Sequence, residues 1–561
     1  MTAQIARTAI PAATFVDIED GYGWRRTRHG TMALWTKGYV DGQSAESLAR
    51  AFANADADKL ASALLSLHGH FALVAETPEW TLAAVDRVRS IPLFVTEGSS
   101  GPIIGANALR LQGRLRPSPE YLDREAALVL GMSGYTLGAK TLDRRIDQIE
   151  PGHFLLIRGP ALPLQKRYHA WTPWQSSAGT PAKTTSQLAD VTLGVLARMA
   201  ASVGGRPIVV PLSAGLDSRL IVSGLHRLGV RQVRCFSYGL PGNYEAEAGR
   251  GIADRLGYPW TFIRLDPRIQ RDVFASADNQ AYVRFADTLA AVPFQQDFHA
   301  VRSLRDSGWL PKDAVLVNGQ TGDFIAGNHI PVALRRARSE LDADSRWRLI
   351  LDGLVAKHSS LWGSLKTREN LALVQGRLKT DIAASGGVLG EPETDHGLFE
   401  VSEFRNRQCK YVIGGQRIYE FLGFDWRLPL WDNDYLDFWA EAPLAAKAGQ
   451  SLYRRMLEEQ NWGGVWQGWA FPRRVSPAWL APLRLAAKAA FVPFGRKRWH
   501  RFERSHFAYW MDVVANYAIA PYPRVRRDRR DHRNAISWHV EAYLAAKGLG
   551  LDGRAIEAEC A

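Results

Sequence analysis

Residues 207–225 read PIVVPLSAGLDSRLIVSGL. An apolar run ends at Leu212, three small residues follow (Ser213, Ala214, Gly215), and a helix-spaced stretch opens with Leu216, Asp217 and Ser218. That order predicts a buried strand, a tight turn and a helix. The free backbone N–H groups of such a turn, and of the helix N-terminus behind it, favour an anionic group. Ser213 and Ser218 add hydroxyl donors, and Gly215 lets the backbone come close. Asp217 would repel a phosphate. Its presence makes sense if a divalent cation lies between, because Mg²⁺ is usually held by one or two carboxylates plus substrate oxygens. The loop has no GxxxxGK[ST] pattern, so it is not the usual P-loop of kinases and GTPases. Taken alone, Ser213 and Asp217 are equally compatible with plain turn and N-cap roles.

A second stretch, VLVNGQTGDFIAG (315–327), repeats the layout: an apolar strand, a Gly-containing turn and a single acid, Asp323. Asp323 by itself also suits a helix cap. Two strand-end loops with one aspartate each place both carboxylates at one sheet edge, where open α/β sheets bind ligands.

The pattern around these loops agrees. SQLADVTLGVLARMAAS, DSRLIVSGLHRLG and NYEAEAGRGIADRLG read as helices, alternating with the strands PIVVPLS, RQVRCFSYG and WTFIRLD. Such alternation predicts a largely parallel sheet. After residue 322 the chain turns mainly helical, and 476–561 reads as a basic, aromatic-rich helical extension. Residues 1–165 differ. GHFALVAE, WTLAAVD, SIPLFVTE and GHFLLIRG are short apolar strands between turns, ALRLQGRLRP alternates in part as a strand would, and DREAALVLGMSG is a helical piece. Residues 166–184, rich in Pro, Ser, Gly and Thr, read as a linker to a domain at 185–475.

At 561 residues and 46% apolar, the chain is expected to form about two to four domains rather than a disordered polymer. Its cysteines, Cys235, Cys409 and Cys560, are scattered, which argues against a disulfide framework or a structural zinc site. No run of about 18 apolar residues suggests a membrane span. The start, MTAQIARTAIPAATF, lacks the apolar core of a secretion signal. A cytoplasmic protein is expected. The formal charge of +13 is concentrated in GRKRWHRFER and PRVRRDRRDHR. That patch suits an acidic small substrate, an anionic membrane surface or plain solubility. Aromatics interleave with it, but no RNP-like or GxxG module does, so nucleic acid is not expected.

The two loops together resemble the asparagine synthetase-like family, the PP-loop ATP-pyrophosphatases that include β-lactam synthetases and lasso-peptide cyclases. Residues 213–218 match its Ser-Gly-Gly-Leu-Asp-Ser signature with alanine second. Asn318, Gly319, Gln320, Thr321, Gly322 and Asp323 stand where it carries Ser-Gly-Glu-Gly-(Ala/Ser)-Asp, and Phe324 replaces the acid that usually follows. DWRLPLWDN (425–433) resembles a third signature, retaining Arg427, Pro429 and Asp432. The resemblance covers roughly 190–470. It implies that Ser213 and Ser218, with the loop residues Leu212, Ala214, Gly215 and Leu216 and the second-loop glycines Gly319 and Gly322, bind ATP. It further implies that the strand carrying Ser237 flanks adenine, that Glu247 lies near the nucleotide, and that Asp217 and Asp323 hold Mg²⁺. The family's late catalytic lysine has no match in WQGWAFPRR (466–474), which offers Arg473 and Arg474; Lys447 and Lys410 are other candidates. Arginine clamps pyrophosphate but is no base.

Residues 1–165 resemble the family's glutamine amidotransferase domain, an Ntn-hydrolase-like β-rich sandwich, with Asp86 and Arg87 at its Asp-Arg position. That chemistry needs an N-terminal cysteine. Met1 and Thr2 stand there instead, and the first cysteine is Cys235. A scaffold domain without glutamine hydrolysis is therefore expected. The reaction implied is adenylation of a substrate carboxylate, releasing pyrophosphate, then amide formation with ammonia or an amine. The favoured acceptor is an acidic saccharide, such as a uronic acid of a surface polysaccharide, free or lipid-linked. A lasso-type macrolactam cyclase and a non-catalytic ATP-binding paralogue are the alternatives.

Overall fold

The structure is a computed structural model that describes residues 14–53, 56–159, 163–175, 183–336, 339–467, 477–511 and 519–554. The chain divides into two compact units. The first comprises Met1–Asp123, Gly138–Ala170 and Asp287–Leu289, and the second Arg124–Leu137, Trp171–Ala286 and Ala290–Ala561. The division lies close to the boundary expected at 165, but the helix Arg124–Ser133 belongs to the second unit.

The first unit holds ten strands: β1 (Phe15–Asp17), β2 (Arg25–His29), β3 (Met32–Val40), β4 (Gly69–Glu76), β5 (Trp80–Val85), β6 (Phe94–Gly98), β7 (Gly101–Gly105), β8 (Ile146–Gln148), β9 (His153–Arg158) and β10 (Leu164–Arg167). They form a four-stranded sheet in the order β1-β7-β6-β8 and a six-stranded antiparallel sheet in the order β10-β9-β5-β4-β3-β2. Alternate residues of the larger sheet, Leu34, Leu73, Leu82 and Leu156 among them, pack on Leu48, Phe52, Leu60 and Leu64 from the helices Ala45–Ala51 and Ala57–Leu65. The strand period of two puts these residues on one face. Asp86, just past β5, is buried and accepts from the backbone N–H groups of Phe71 and Val88, each at 2.9 Å. ALRLQGRLRP is not a strand. It forms the helix Ala108–Arg114, capped by Asn107, whose side chain accepts from Arg110 N. Ala108 and Leu111 share its buried side, and Arg110 and Arg114 both reach Asp17 at 2.8 and 2.7 Å. The expected linker begins later than 166, since β10 runs to Arg167, and its residues 176–182 lie outside the described residues.

The second unit is built on a five-stranded parallel sheet: β11 (Ile208–Pro211), β12 (Val233–Gly239), β13 (Trp260–Arg264), β14 (Val315–Val317) and β15 (Asp425–Arg427). Its order is β13-β12-β11-β14-β15. The chain winds outward from β11 in one direction, then returns to β14 on its other side. The strand order reverses between β11 and β14, and their carboxyl ends form the crevice where such sheets take ligands. Ile208, Val210 and Leu212 pack with Leu196 and Met199 of the helix Thr185–Val203, Ile221 and Leu225 of the helix Leu216–Arg227, and Ile252 and Leu256 of the helix Tyr244–Leu256.

The expected helical extension is present and is an integral part of the second unit. The Ser537 hydroxyl donates to Leu361 O at 2.8 Å, and Trp362 meets Trp538 edge-on at 5.4 Å. Among the described residues no helix is long and apolar enough to cross a membrane.

Candidate active site

The loop after β11 is held from both sides. Ala214 N donates to Glu245 Oε2 at 2.8 Å, and Ala214 O accepts from Arg219 Nη2 at 3.1 Å. Ser213 N donates to Ser218 Oγ at 3.2 Å, and Gly215 N to Ser213 Oγ at 3.1 Å. Gly215 then caps the helix Leu216–Arg227 with no side-chain acceptor on the first-turn N–H groups. The turn N–H groups are thus taken up within the protein, and the donors left for an anion are the uncapped first-turn N–H groups of the helix Leu216–Arg227.

The loop after β14 is braced by a buried network. Asn318 Nδ2 donates to Tyr419 Oη at 2.8 Å, while Tyr419 and Tyr238 donate to the two oxygens of Asp297 at 2.7 and 2.6 Å. Thr321 holds φ +83°, strained for a β-branched residue, and its hydroxyl is tied to Gln408 at 2.9 Å. The two loops touch. Asp323 N donates to Asp217 Oδ2 at 2.9 Å, and Tyr453 Oη to Asp217 Oδ1 at 3.0 Å. A Cβ at Gly322 would stand 2.5 Å from Asp217 Cγ, and one at Gly319 would stand 2.9 Å from Ser218 N. Glycine at these two positions is a packing requirement.

Burial and the neighbouring Asp323 charge push the Asp217 carboxyl up to about 8. Burial also penalises Asp323, but the hydrogen bond and charge of His329 outweigh it and hold Asp323 below the usual range. His329 lies between two acids, with Nε2 3.0 Å from Asp323 and Nδ1 2.5 Å from Glu403. Burial disfavours its charge, yet the two carboxylates raise it to about 9. Glu403 also meets His358 Nε2 at 2.8 Å and Gln408 Nε2 at 2.9 Å. It ends the helix Asp395–Glu403, which continues as a π-helix over Phe404–Val412, a winding often found beside functional sites.

Above the two loops lies a cavity of about 820 Å³. Of the residues expected to bind nucleotide, Leu212, Ser213, Gly215, Leu216, Ser218, Ser237 and Gly319 line it, together with Asp217 and Asp323. Ser237 fixes the strand behind it by donating to Leu212 O at 2.6 Å. Ala214 and Gly322 shape the loops without lining the cavity. Glu247 is exposed on the helix Tyr244–Leu256, and the acid that reaches the loop is Glu245, two residues earlier. Lys447 does not line the cavity either. It is fully buried, paired with Glu400 at 3.0 Å and lying over the Trp171 ring. Lys410 is likewise buried, on Thr136 O and Asn406. Arg473 and Arg474 lie outside the described residues. Among the described residues Arg454 is the cation that lines the cavity, one helical turn from Gln450, to which it donates at 3.2 Å. Sequence reasoning missed Glu245, Arg219, His329, Glu403, Tyr453 and Arg454. Glu245, Glu403 and Tyr453 meet partners from distant segments, and the local contacts of Arg219, His329 and Arg454 follow no pattern the sequence alone distinguishes.

Two coupled carboxylates at the mouth of an anion-receptive turn fit a divalent cation. The like charge that burdens Asp217 is the term a cation would remove. His329 takes up Oδ2 of Asp323, and among the described residues Oδ1 meets no side-chain donor and is open to such an ion.

Residues 195–460 match the family described as Asparagine synthase. The matched segment is an ATP-dependent PP-loop ligase domain of the asparagine-synthetase-like kind, with the α/β sheet and helical continuation described above. No curated protein matches the chain. Two solved structures are similar in part. One is the allosteric regulatory enzyme of purine biosynthesis, at 12% identity over 43% of this chain and 61% of that one, with a TM-score of 0.17. The other is glutamine phosphoribosylpyrophosphate amidotransferase from B. subtilis, at 13% identity over 53% of this chain and 63% of that one, with a TM-score of 0.17. The chain spans less than two thirds of either, and neither likeness carries an argument.

Proposed function

We propose that this protein activates a substrate carboxylate as its adenylate and transfers ammonia or an amine to it, the acceptor being an acidic saccharide such as a uronic acid. The observation that carries the reading is the meeting of Asp217 and Asp323 at the anion-receptive turn. Asp217 and Asp323 would hold Mg²⁺, which when bound offsets charge on the phosphates. The first-turn N–H groups of the helix Leu216–Arg227 and the hydroxyls of Ser213 and Ser218 bind the β- and γ-phosphates, and Ser237 and Phe236 lie along the adenosine side. A carboxylate oxygen of the acceptor attacks the α-phosphorus, and the α–β phosphoanhydride bond breaks with pyrophosphate as leaving group. The nitrogen nucleophile then attacks the acyl carbon. The acyl C–O bond breaks, AMP departs, and the nitrogen's proton passes to solvent. Arg454 is placed to meet an anionic group, either pyrophosphate or the acceptor.

The cavity wall supports a saccharide. Gln296, Asn318, Gln320, Asn328 and Gln450 line it. Both polar atoms of the Gln320 side chain, and Gln450 Nε2, are buried without a partner. Amides offer both a donor and an acceptor, as ring hydroxyls require. We take the first unit as an Ntn-hydrolase-like scaffold, supported by its two sheets and by buried Asp86. The cytoplasm supplies ATP for such a reaction.

The test is pyrophosphate release from Mg·ATP and ammonium with a panel of uronate saccharides, aspartate and carboxyl-bearing peptides. Release that depends on a uronate, and falls at least tenfold in Gln320→Leu, supports the saccharide reading. Release driven by a peptide instead makes the protein a macrolactam-type ligase.

A further inference from the structure

The basic stretches singled out in the sequence divide into two kinds once folded. Several arginines nearer the C-terminus are internally paired: Arg504 with Asp531 at 3.0 Å, Arg524 with Glu541 at 2.9 Å, and Arg530 with Asp528 and Glu541, each at 2.6 Å. The hairpin before them differs. It consists of the helices Leu480–Phe491 and Gly495–His506, joined by the turn Val492–Phe494. Its inner side is closed by Phe491, Trp499 and Phe502, with ring centroids 4.6 to 6.2 Å apart, and by Arg484 on Glu503 at 2.6 Å. Beyond that side, large apolar side chains are open to water on both flanks of the first helix and at the turn. Trp479 is 58% exposed, Leu483 55%, Leu485 70%, Val492 75% and Phe494 55%. Lys488, Arg496, Lys497, Arg498 and Arg501 are exposed on the same two helices, and no Asp or Glu stands between Glu459 and Glu503.

Five large apolar side chains open to water within sixteen residues are a density of exposed apolar surface that marks an interaction site. The charge decides the occupant. A surface of Trp, Leu, Val and Phe ringed only by Lys and Arg has the composition of a helix lying in the headgroup region of a bilayer. An unbroken run without acids matches negative lipid, which attracts each nearby cation. The helices are too short and too basic to span. We infer that the hairpin Trp479–Arg498 docks this protein on an anionic lipid bilayer, its apolar tip inserted shallowly and its arginines and lysines on the phosphates. Two residues beyond the helix Gly495–His506 the chain reaches Ala508, which with Met511 lines the cavity. Tyr509 between them is fixed by Arg271 at 2.6 Å. The inference stands apart from the reaction.

The experiment is flotation of the intact protein with vesicles of phosphatidylcholine alone and with about 30% phosphatidylglycerol, without nucleotide or acceptor. The expected result is capture by the anionic vesicles only, released as ionic strength rises. Arg496→Glu/Lys497→Glu/Arg498→Glu should weaken capture by at least roughly 100-fold. Leu483→Glu/Leu485→Glu should abolish it while the melting temperature and pyrophosphate release stay at the wild-type level. Three outcomes overturn the inference: no capture, equal capture by neutral and anionic vesicles, or capture that survives the leucine variant. A dimer that the leucine variant dissolves, without any lipid capture, would make the face a contact between copies instead.

Discussion

Asp217 is half-buried, bonded to Tyr453 and to the Asp323 backbone, and carries a carboxyl pushed up to about 8 by burial and by the Asp323 charge. Unfolded, the same group ionises near 4. Between these values only the folded state holds the proton, so the metal-free fold loses stability as pH rises from about 4 to 8. Asp217→Asn removes that loss. In chelator at pH 8 its melting temperature should exceed wild type by several degrees, and the gain should vanish at pH 4. Added Mg²⁺ should raise the wild-type melting temperature and leave the variant unmoved. A variant no more stable than wild type at pH 8 would mean that the carboxylate is not burdened as described. Gly322→Ala tests the contact between the loops. Its Cβ would need the space of the Asp217 carboxylate, so pyrophosphate release should fall at least 100-fold for a stability cost of about 1–3 kcal/mol, read by thermal denaturation.

The helix Asp395–Glu403 separates what was legible in the sequence from what was not. Its Glu400 holds Lys447 at 3.0 Å and His396 at 2.7 Å, and its Glu403 holds His329 and His358. Lys447→Met leaves Glu400 buried without its lysine and with His396 as its remaining partner, which should cost about 3 kcal/mol in denaturant unfolding. The folded fraction should still release pyrophosphate at the wild-type rate, whereas Arg454→Met should lose rate without losing stability. The two anion-receptive loops could be read from sequence because strand, turn and helix are neighbours in the chain and their periods change in order. The acid that meets the first loop could not. Glu245 and Glu247 stand about 200° apart on a helix, and only the helix's phase against the sheet selects the former. The helix Ala108–Arg114 was misread for a similar reason. Its leucines and arginines alternate locally, but Asn107 caps it and its arginines answer to Asp17, more than ninety residues away.

Two buried histidines of the second unit set its response to acid. Burial depresses His358 and His539 to about 4 from an unfolded value near 6.5. Both are neutral in the fold at pH 7, and the unfolded chain alone takes up protons as pH falls below 6.5. The contribution of these two rings is therefore complete above pH 6.5 and is lost between 6.5 and 4, at about 3 kcal/mol for each fully buried ring. His539→Phe should narrow the melting-temperature gap between pH 7 and pH 5, and an unchanged gap would show that His539 is not titrating. The parallel sheet and its crevice were legible from alternating strands and helices. The helical extension was read as an appendage, because the contacts of Ser537 and Trp538 with residues near 361 lie some 175 positions apart. All of these elements serve one claim, that the cavity at β11 and β14 breaks ATP between its α- and β-phosphates. The most direct measurement supplies an acceptor whose carboxylate carries ¹⁸O and follows the label by mass spectrometry. One ¹⁸O in the phosphate of AMP, with unlabelled pyrophosphate and none of either with Asp217→Asn, is the predicted result. Label in inorganic phosphate alongside ADP would contradict it.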